Sequence, residues 1–521
     1  MSNADRSGST LPESTATSNT EPGSATSANA DPSQKLTHNE LGQVIIRSAR
    51  DVSAVLSERG SQQKGALAVI ILALGGIFMD AYDFSSLAFG ITAVKEEFGL
   101  NGFMTGLVNA SIMVGAVVGA IAGGYLVDRF GRYRLFMADM VFFVVAALGC
   151  AVAPDEWTLI FFRFIMGIGV GLDLPVAMAF LAEFSRLRGK GNRSERVNAW
   201  SPAWYAATGV GYLVVLTFFL LLPPAEQGIL WRLVVGFGAV PAIIVLLVRR
   251  KYMAESPQWL ANQGDVRGAV EILRNKYAID AVLAEKSQLD AAKPPKTSAR
   301  SFRILFSPKY RLRTTVALCV SVFSTFGYNA VAYGTPLIVT ELFQQGPLTT
   351  ILSSLVINLA FGVGGGLIGM SLVTRLGSRK LALIGFAVQT ASLLALAILG
   401  IPSGALVIIA VLMLALFIFF QAFGPGAQLM SYATLSYPTS LRGVAVGFNQ
   451  GVLRSFSIVS LIGFPILSAS LGTNVFWVVA IAPLLGTLAV AIIRWDPTGK
   501  DVDAEDSYLD EAKQPAQNSR A

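Results

Sequence analysis

The chain has 521 residues, a mean hydropathy of +0.58, and charged side chains at only 14% of its positions. Soluble chains carry roughly 25% charged residues and their single cores stop growing near ~250–300 residues, so an ordinary soluble domain is excluded. The apolar residues come in blocks of about 20, which is the length of a helix that crosses a bilayer core of about 30 Å. In a membrane protein, a net charge of +7 reflects where basic residues lie relative to the bilayer, so it does not indicate binding of nucleic acid.

A polar region precedes the first apolar block and covers residues 1–64. It has no basic segment followed by an early apolar run, so we expect no secretory signal. Residues 1–36 are rich in Ser, Thr, Ala, Asn and Pro and are expected to be disordered. Residues 38–58 form either an amphipathic surface helix or no regular element. They include His38, the single histidine, so proton chemistry inside the membrane has to use carboxylates.

Two sets of six apolar blocks follow. They predict an N-terminal six-helix bundle over 65–248, a cytoplasmic central loop over 249–313, a C-terminal six-helix bundle over 314–494 and a disordered cytoplasmic tail over 495–521. The predicted fold is thus an all-α membrane protein with 12 transmembrane helices, because only closed helices satisfy the backbone economically in lipid. We number the predicted spans 1 to 12: 66–92, 103–127, 134–153, 157–183, 199–222, 231–248, 314–339, 351–373, 381–400, 404–432, 444–470 and 475–493.

The basic residues lie mostly on one side of these spans. The central loop and the loops after spans 2, 4, 8 and 10 are basic and include Arg129, Arg375 and Arg442, whereas the opposite side holds Lys95 and Arg232. Positive charge marks the cytoplasmic side of a membrane protein. Both termini are therefore predicted to be cytoplasmic, in a multi-pass protein of the cytoplasmic membrane.

The loop between spans 2 and 3 carries the sequence GYLVDRFGRYR. Its acid ends span 2, and its central glycine permits a tight reversal. Such an acid can pair with arginine or with the positive end of a helix, which would latch the two bundles together on the inside. The alternative is an ordinary basic loop with a glycine turn. The predicted gating residues are Gly124, Asp128, Arg129, Gly131 and Arg132.

The same pattern returns weakly between spans 8 and 9, as MSLVTRLGSRK. Arg375 and Gly377 match Arg129 and Gly131, and Thr374 stands where the acid would be. Two related halves suggest bundles that rock about a central site. The first loop resembles the signature loop of the major facilitator superfamily, and this resemblance implies alternating-access transport.

Span 1 contains two acids, Asp80 and Asp83. Each costs about 2.5–3.5 kcal/mol inside a membrane helix, and a spacing of three places both on one helix face. Two such acids do not ionise together easily, so we expect them to carry protons; a structural polar contact is the alternative. The segment resembles the D-G-Y-D motif of aromatic-acid–proton symporters, with Ala81 for the glycine, and Tyr82-Asp83 resembles the G-Y-D of sugar porters.

Span 4 supplies Arg163 and Asp173. Arg163 and Asp83 lie at similar depth at 1.5 Å per residue, so a pair that parts on protonation is expected. The glycines after Arg163 suit close helix packing better than a nucleotide loop, because no strand precedes them. The pattern of Arg163 followed by regularly spaced glycines resembles span 4 of proton-coupled sugar porters. Asp173 is predicted to be a second proton site or a substrate contact, with pairing to Arg454 as the alternative.

Span 11 places Arg454 near the midplane, where a buried arginine is a functional candidate and an internal ion pair is the alternative. Residues 254–260 and 437–443 resemble two loop motifs of sugar porters and related carriers, although Leu435 replaces the acid of the second. Polar and aromatic residues at mid-membrane complete a candidate pocket. The predicted substrate-binding residues are Tyr82, Trp204, Tyr205, Tyr328, Asn329, Gln421, Asn449 and Arg454.

These residues predict a secondary transporter that carries a small polar metabolite with protons. Inside the membrane there are three acids, Asp80, Asp83 and Asp173, and two arginines, Arg163 and Arg454. When all five are ionised their net charge is −1. A protonated carrier could therefore accept an organic, possibly aromatic, acid on Arg454. Alternatives are a sugar or polyol symporter, a proton-antiport exporter of the same fold, or a receptor that transports nothing.

No enzyme is expected, because the sequence holds no nucleophile–base set and no nucleotide loop. Cys150 and Cys319 lack metal-ligand spacing, so no metal or cofactor is predicted. The expected partners are a small-molecule substrate, protons and the lipid bilayer, without nucleic acid, and the protein is expected to be a monomer.

Overall fold

The structure is a computed structural model of the chain. It describes residues 39, 41–48, 51–52, 55, 64–184, 192–276, 279–284, 299–500 and 502. The predicted disorder of residues 1–36 and of most of the tail lies outside the described residues. Inside the helices, the side chains of Asp128, Arg129 and Arg132 and the surroundings of Gly124 are also not described.

Every predicted span is helical in the structure. The N-terminal half consists of Lys64–Phe98, Gly102–Phe130, Arg132–Ala151, Glu156–Phe184 and Trp200–Leu221 for spans 1 to 5, with Asn192–Asn198 just before span 5. Span 6 is built from two consecutive helices, Leu230–Phe237 and Ala239–Tyr252.

The C-terminal half has more interrupted helices. Span 7 is Arg311–Ala332, continued by Thr335–Leu337 and a π-helical turn at Ile338–Leu342. Span 8 is Pro347–Val356, a π-helical turn at Ile357–Gly362, and Val363–Leu376. Spans 9 to 12 are Ser378–Leu399, Leu406–Phe423 with Pro425–Leu435, Thr439–Leu471, and Val475–Ile492.

Ten helical stretches among the described residues are long and apolar enough to cross a membrane. One of them, Val444–Ile492, covers spans 11 and 12 together. Span 4 is not among the ten, and its described part carries Glu156, Arg163 and Asp173. The exact number of crossings and the side of the termini stay predictions. We call the end that holds the Gly131 turn the inner end, following the positive charges, and the opposite end the outer end.

At the inner end, a small sheet departs from the sequence prediction. Strand β1, Val44–Ile46, pairs in parallel with strand β2, Ala281–Leu283. The helix considered for residues 38–58 is therefore wrong at β1. The β-branched side chains of Val44 and Ile46 suit a half-buried strand, and both are buried in an apolar cluster with the central-loop helix Val266–Asn275.

The central loop holds two other short helices, Pro257–Asn262 and Ala299–Leu305. Ser256 precedes the first of them and accepts a hydrogen bond from the backbone N–H of Trp259 through its hydroxyl. A serine in this position satisfies one of the free donors of the first helical turn. The predicted central loop is thus helical in part of its described length.

The two halves repeat one turn geometry. Gly131 and Gly377 have φ of +93° and +84°, a region that only glycine adopts without strain. In each turn a carboxylate from the segment after the sixth helix of the same bundle accepts a hydrogen bond from the backbone N–H two residues after the glycine. Glu255 accepts from Tyr133 at 3.2 Å, and Asp496 accepts at 3.2 Å from the equivalent position after Gly377. The internal repeat thus extends to the carboxylates that cap these turns.

Glycines bring spans 2 and 4 into close contact. A Cβ on Gly115 or Gly119 would run into the backbone of span 4, and one on Gly167 or Gly171 would run into the backbone of span 2. Small residues at such a crossing let two helix backbones approach closely. This agrees with the packing interpretation of the span-4 glycines.

Candidate functional site

An aromatic cluster joins the two bundles at the centre of the molecule. Trp204 of span 5 donates its indole N–H to the hydroxyl of Tyr328 of span 7 at 2.7 Å. Phe84 of span 1 stacks on Tyr333 of span 7 with 5.0 Å between ring centroids. Tyr205 meets Tyr328 edge to face at 6.1 Å. The predicted residues Trp204, Tyr205 and Tyr328 therefore lie together across the interface between the bundles.

Asp80 and Asp83 are buried beside this cluster, at 1% and 2% exposure. Within the described residues, neither oxygen of either carboxylate has a hydrogen-bond partner. Asp83 faces span 6, because a Cβ on Gly238 would lie 3.0 Å from its Oδ1. Buried acids without donors disfavour ionisation strongly, so this arrangement suits carboxyl groups that hold protons.

Arg163 is also buried, at 2% exposure, but the predicted ion pair with Asp83 is not formed in this structure. The guanidinium Nε donates to the carbonyl of Val108 in span 2 at 3.1 Å. Arg163 still lies within electrostatic range of Asp83. Arg163 and Asp83 are thus parted, which is the arrangement expected when Asp83 is protonated.

Arg454 reaches into the same region from span 11 and is buried at 4% exposure. Its Nη1 lies 3.8 Å from the sulfur of Met113 in span 2, and its Nε has no hydrogen-bond partner among the described residues. The carboxylate that acts on it electrostatically is Asp80. A cation with an unmet donor at the interface between the bundles remains available to a polar ligand.

Asp173 does not pair with Arg454, which corrects that alternative. Its Oδ1 lies 2.9 Å from Nη2 of Arg249, at the inner end of span 6. Nη1 of Arg249 also contacts Asp139 of span 3 at 3.0 Å. All three side chains have 0% exposure. The substrate contact predicted for Asp173 is not supported by this arrangement, because Asp173 lies in a polar cluster inside the N-terminal bundle.

Amide side chains line the C-terminal half of the interior. Gln421 donates to the Ser324 hydroxyl at 2.8 Å and accepts from Gln389 at 2.6 Å. Asn449 donates to the Ser321 hydroxyl at 2.8 Å, but its Oδ1 has no partner among the described residues. The Nδ2 of Asn329 is likewise buried without a partner in that part of the chain. Asn329 and Asn449 therefore keep free hydrogen-bonding capacity, whereas Gln421 is occupied by its neighbours.

Tyr82 points away from the central cluster. Its hydroxyl donates to the carbonyl of Val234 in span 6 at 2.6 Å, and its ring packs near Phe237. The geometry therefore favours a packing role inside the N-terminal bundle over the predicted contact with substrate.

The bundles are held together at both ends. At the outer end, Lys95 of span 1 pairs with Glu341 in the π-helical end of span 7 at 2.7 Å. At the inner end, the Ser431 hydroxyl donates to Asn198 at 2.9 Å, and the Ser201 hydroxyl donates to the carbonyl of Ala422 at 3.1 Å. Contacts at both ends describe an occluded arrangement of the two bundles. The gating role predicted for Asp128 stays a prediction.

Comparison with known proteins identifies the family. The family model described as "Sugar (and other) transporter" matches residues 68–501. The chain belongs to this family of sugar and other transporters. The expected major facilitator fold is confirmed in its sugar porter branch, and the protein is a multi-pass transporter of the cytoplasmic membrane rather than an enzyme.

Two relatives align along most of their length. The glucose transporter GlcP of Staphylococcus epidermidis is 30% identical over 435 residues, covering 82% of this chain and 92% of GlcP. The arabinose-proton symporter of Bacillus subtilis is 27% identical over 452 residues, covering 82% of this chain and 92% of the symporter. Neither of these two relatives is named for an organic acid.

A solved structure shares the fold of this chain. The xylose transporter XylE from Escherichia coli, in a partially occluded inward-open conformation, superposes with a TM-score of 0.68 at 18% identity. The alignment covers 84% of this chain and 100% of the XylE chain. At this identity the similarity establishes the architecture of two bundles around a central interior.

Sequence reasoning missed two buried ionisable groups of this chain, Asp139 and Arg249. An acid inside a predicted span was the available signal for Asp139. Arg249 was counted with the basic residues that follow span 6, and no local pattern separates it from Arg250. With both included, four buried acids face three buried arginines, so the net charge with all groups ionised is still −1.

Proposed function

We propose that this protein moves a neutral sugar or polyol across the cytoplasmic membrane together with protons, by alternating access of the two bundles. The relatives named for glucose and for arabinose with protons support this substrate class. The interior also suits it, because it combines aromatic surfaces with a few hydrogen-bonding groups, the usual lining of small-molecule sites.

One observation supports proton coupling above the others. Asp83 is buried next to Arg163, and within the described residues its carboxylate oxygens have no hydrogen-bond donor. A carboxyl group in this setting is stable when protonated and gains a cationic partner when it loses its proton. We infer that protonation of Asp83 is the step that permits the occluded arrangement.

The proposed cycle follows from this switch. When the interior opens outward, Asp83 takes up a proton, and substrate hydroxyls bind the free amide groups of Asn329 and Asn449. The ion pair at the outer end and the hydrogen bonds at the inner end then hold the loaded carrier closed. When the inner contacts break, the proton leaves Asp83 towards the inner end, and Arg163 stabilises the carboxylate.

The organic acid remains a second candidate because of Arg454. Its guanidinium is buried, and its Nε has no partner among the described residues. A carboxylate substrate would supply the acceptor that this donor lacks and would form a charge-assisted bond. A neutral substrate could instead accept the same hydrogen bond through a hydroxyl group.

Uptake into proteoliposomes under an imposed pH gradient tests the proposal. We expect accumulation of sugars or polyols inside vesicles whose lumen is more alkaline than the medium, because protons that enter down their gradient bring the substrate with them. Preferential accumulation of carboxylates that is lost in Arg454→Ala would favour the second candidate. Absence of pH-driven flux for either class would contradict proton coupling.

The coupling residue is tested by Asp83→Asn. We expect this variant to lose pH-driven accumulation and to retain exchange of labelled for unlabelled substrate, because binding remains while the proton switch is gone. Glu96→Gln, an exposed carboxylate on the same helix, is the matched control. Normal accumulation by a correctly folded Asp83→Asn variant would remove Asp83 from the mechanism.

A further inference from the structure

The inner third of the N-terminal bundle contains a charge cluster that the proposed cycle does not use. We call Asp139, Asp173 and Arg249 the buried triad. Arg249 contacts Asp139 at 3.0 Å and Asp173 at 2.9 Å, and no part of any of the three side chains is exposed. Span 3, span 4 and span 6 each contribute one member.

Arg249 does not need both acids to be held in place. Its guanidinium lies over the Phe136 ring at 3.5 Å from the centroid, and its Nη1 donates to the Phe136 carbonyl at 2.7 Å. One carboxylate would balance its charge. The second acid therefore adds an excess negative charge inside the bundle, which is unfavourable unless a proton neutralises it.

The two acids converge on one cation. Asp139 and Asp173 contact different terminal nitrogens of the Arg249 guanidinium, Nη1 and Nη2, and Oδ2 of Asp173 has no hydrogen-bond partner among the described residues. An ionised carboxylate offers only acceptors, so a second ionised acid at one guanidinium leaves a surplus negative charge. One proton shared between the two acids would balance the charge of the buried triad.

The buried triad lies next to the coupling acids of span 1. Asp173 packs against Gly76, so close that a Cβ there would collide with its carboxylate. Asp80 is one helical turn further along the same helix. The charged groups that act on Asp80 are Asp173 and Arg249 of the buried triad, Arg454 of span 11 and Asp83 of span 1. These acids thus form a series from Asp83 through Asp80 and Asp173 to Asp139.

We propose that the buried triad is a second proton-binding site and the inner part of the proton path. This inference rests on the proposed proton symport. An O–H bond of the Asp80 carboxyl breaks as an O–H bond forms on the Asp173 carboxylate, which shares the proton with Asp139 beside Arg249. The proton then leaves to water at the inner end, and no redox partner is required.

Infrared spectroscopy of the purified protein tests proton storage without any substrate. A protonated carboxyl has a carbonyl stretch that is separate from the bands of carboxylates. We expect part of this signal to disappear on titration to alkaline pH in the wild type, and that part to be missing in both Asp139→Asn and Asp173→Asn. Glu96→Gln should leave the signal unchanged. An unaltered signal in both triad variants would overturn the proposal.

Transport tests the path. Asp139→Asn and Asp173→Asn should lose pH-driven accumulation and shift the pH profile of efflux, while exchange of labelled substrate, which needs no net proton movement, continues. A purely structural role predicts equal loss of exchange and accumulation, and that result would overturn the proposal. Because each acid is replaced separately, misfolding of one variant leaves the other as a test.

The two proposals fail in different ways. If the wild type accumulates no substrate under a pH gradient, the proposal of proton symport is wrong, and the proposal of a proton path through the buried triad is wrong as well. If the wild type accumulates substrate normally and both triad variants do so equally, symport stands and the buried triad is not part of the path.

Discussion

Lys95 Nζ lies 2.7 Å from Glu341 Oε1, and this ion pair joins span 1 of the N-terminal bundle to the π-helical end of span 7 in the C-terminal bundle. Both side chains are about one-third exposed, at 35% and 33%. The pair lies at the outer end, above the stacked rings of Phe84 and Tyr333 on the same two elements. It must separate whenever the interior opens outward.

Replacing Lys95 with Met should therefore favour the outward-open arrangement. A partly exposed ion pair contributes about 0.2–1 kcal/mol, so the population ratio should change by roughly 1.4- to 5-fold. Electron paramagnetic resonance distances between spin labels at Phe103→Cys and Leu348→Cys, exposed positions near the outer ends of spans 2 and 8, would measure the shift. Cys150 and Cys319 are replaced by Ser beforehand.

The charge reversal Lys95→Glu with Glu341→Lys is the control for this prediction. It should restore the wild-type distance distribution, because the pair reforms with opposite polarity. Distances that do not respond to Lys95→Met would mean that aromatic packing alone sets the closed population.

The Gly131 turn should not tolerate alanine. A side chain at φ +93° costs about 1–3 kcal/mol, and the added Cβ would displace the Glu255 carboxylate that caps Tyr133. Thermal unfolding in detergent should show a clear loss of stability. Gly400→Ala is the matched control, because its φ of +67° imposes a similar strain in open space. Equal losses at the two positions would exclude a contribution from Glu255.

The hydrogen bond between Trp204 and Tyr328 should couple the two bundles. Trp204→Phe and Tyr328→Phe each remove one partner of a 2.7 Å bond at the interface. Each variant should weaken substrate binding, and the double variant should be no worse than the poorer single one, with a coupling energy of about 0.5–1.5 kcal/mol. Substrate affinities from a double-mutant cycle would measure it, and additive effects would contradict the coupling.

Gly76 should be intolerant of alanine, whereas its neighbour Gly75 should accept it. A Cβ at Gly76 would collide with the Asp173 carboxylate, but one at Gly75 would meet Val245 at an ordinary 3.5 Å. Gly76→Ala should therefore displace Asp173 from Arg249 and lower the unfolding temperature. Gly75→Ala should leave it close to the wild-type value. A pair of variants with the same stability would show that span 1 can move away from span 4 without cost.

Much of the fold could be predicted from local pattern. A block of about 20 apolar residues has few alternatives to a membrane helix, because lipid satisfies no backbone hydrogen bond. The helical ranges and the related halves follow from hydropathy and the repeated glycine turns at Gly131 and Gly377. The strand at Val44–Ile46 could not be predicted in this way, since its partner, Ala281–Leu283, lies more than 230 residues away.

The candidate site was predictable only as a set of unusual residues. Ionisable groups in apolar helices stand out because they are costly there, and this identified Asp80, Asp83, Arg163, Asp173 and Arg454. Their partners did not follow from position along a helix, because rotation about the helix axis and side-chain direction decide which neighbour is met. Asp173 accordingly faces Arg249 rather than Arg454, and Tyr82 faces Val234 rather than the interior.

The amino-acid sequence by itself determined that this chain is a helical membrane carrier with acids inside its first and fourth spans, because hydropathy and the cost of buried charge are properties of single segments. Only the tertiary structure decided which of those charges meet. The Asp139–Arg249–Asp173 triad takes one residue from each of three helices, and the packing of those helices depends on the whole bundle rather than on any one segment.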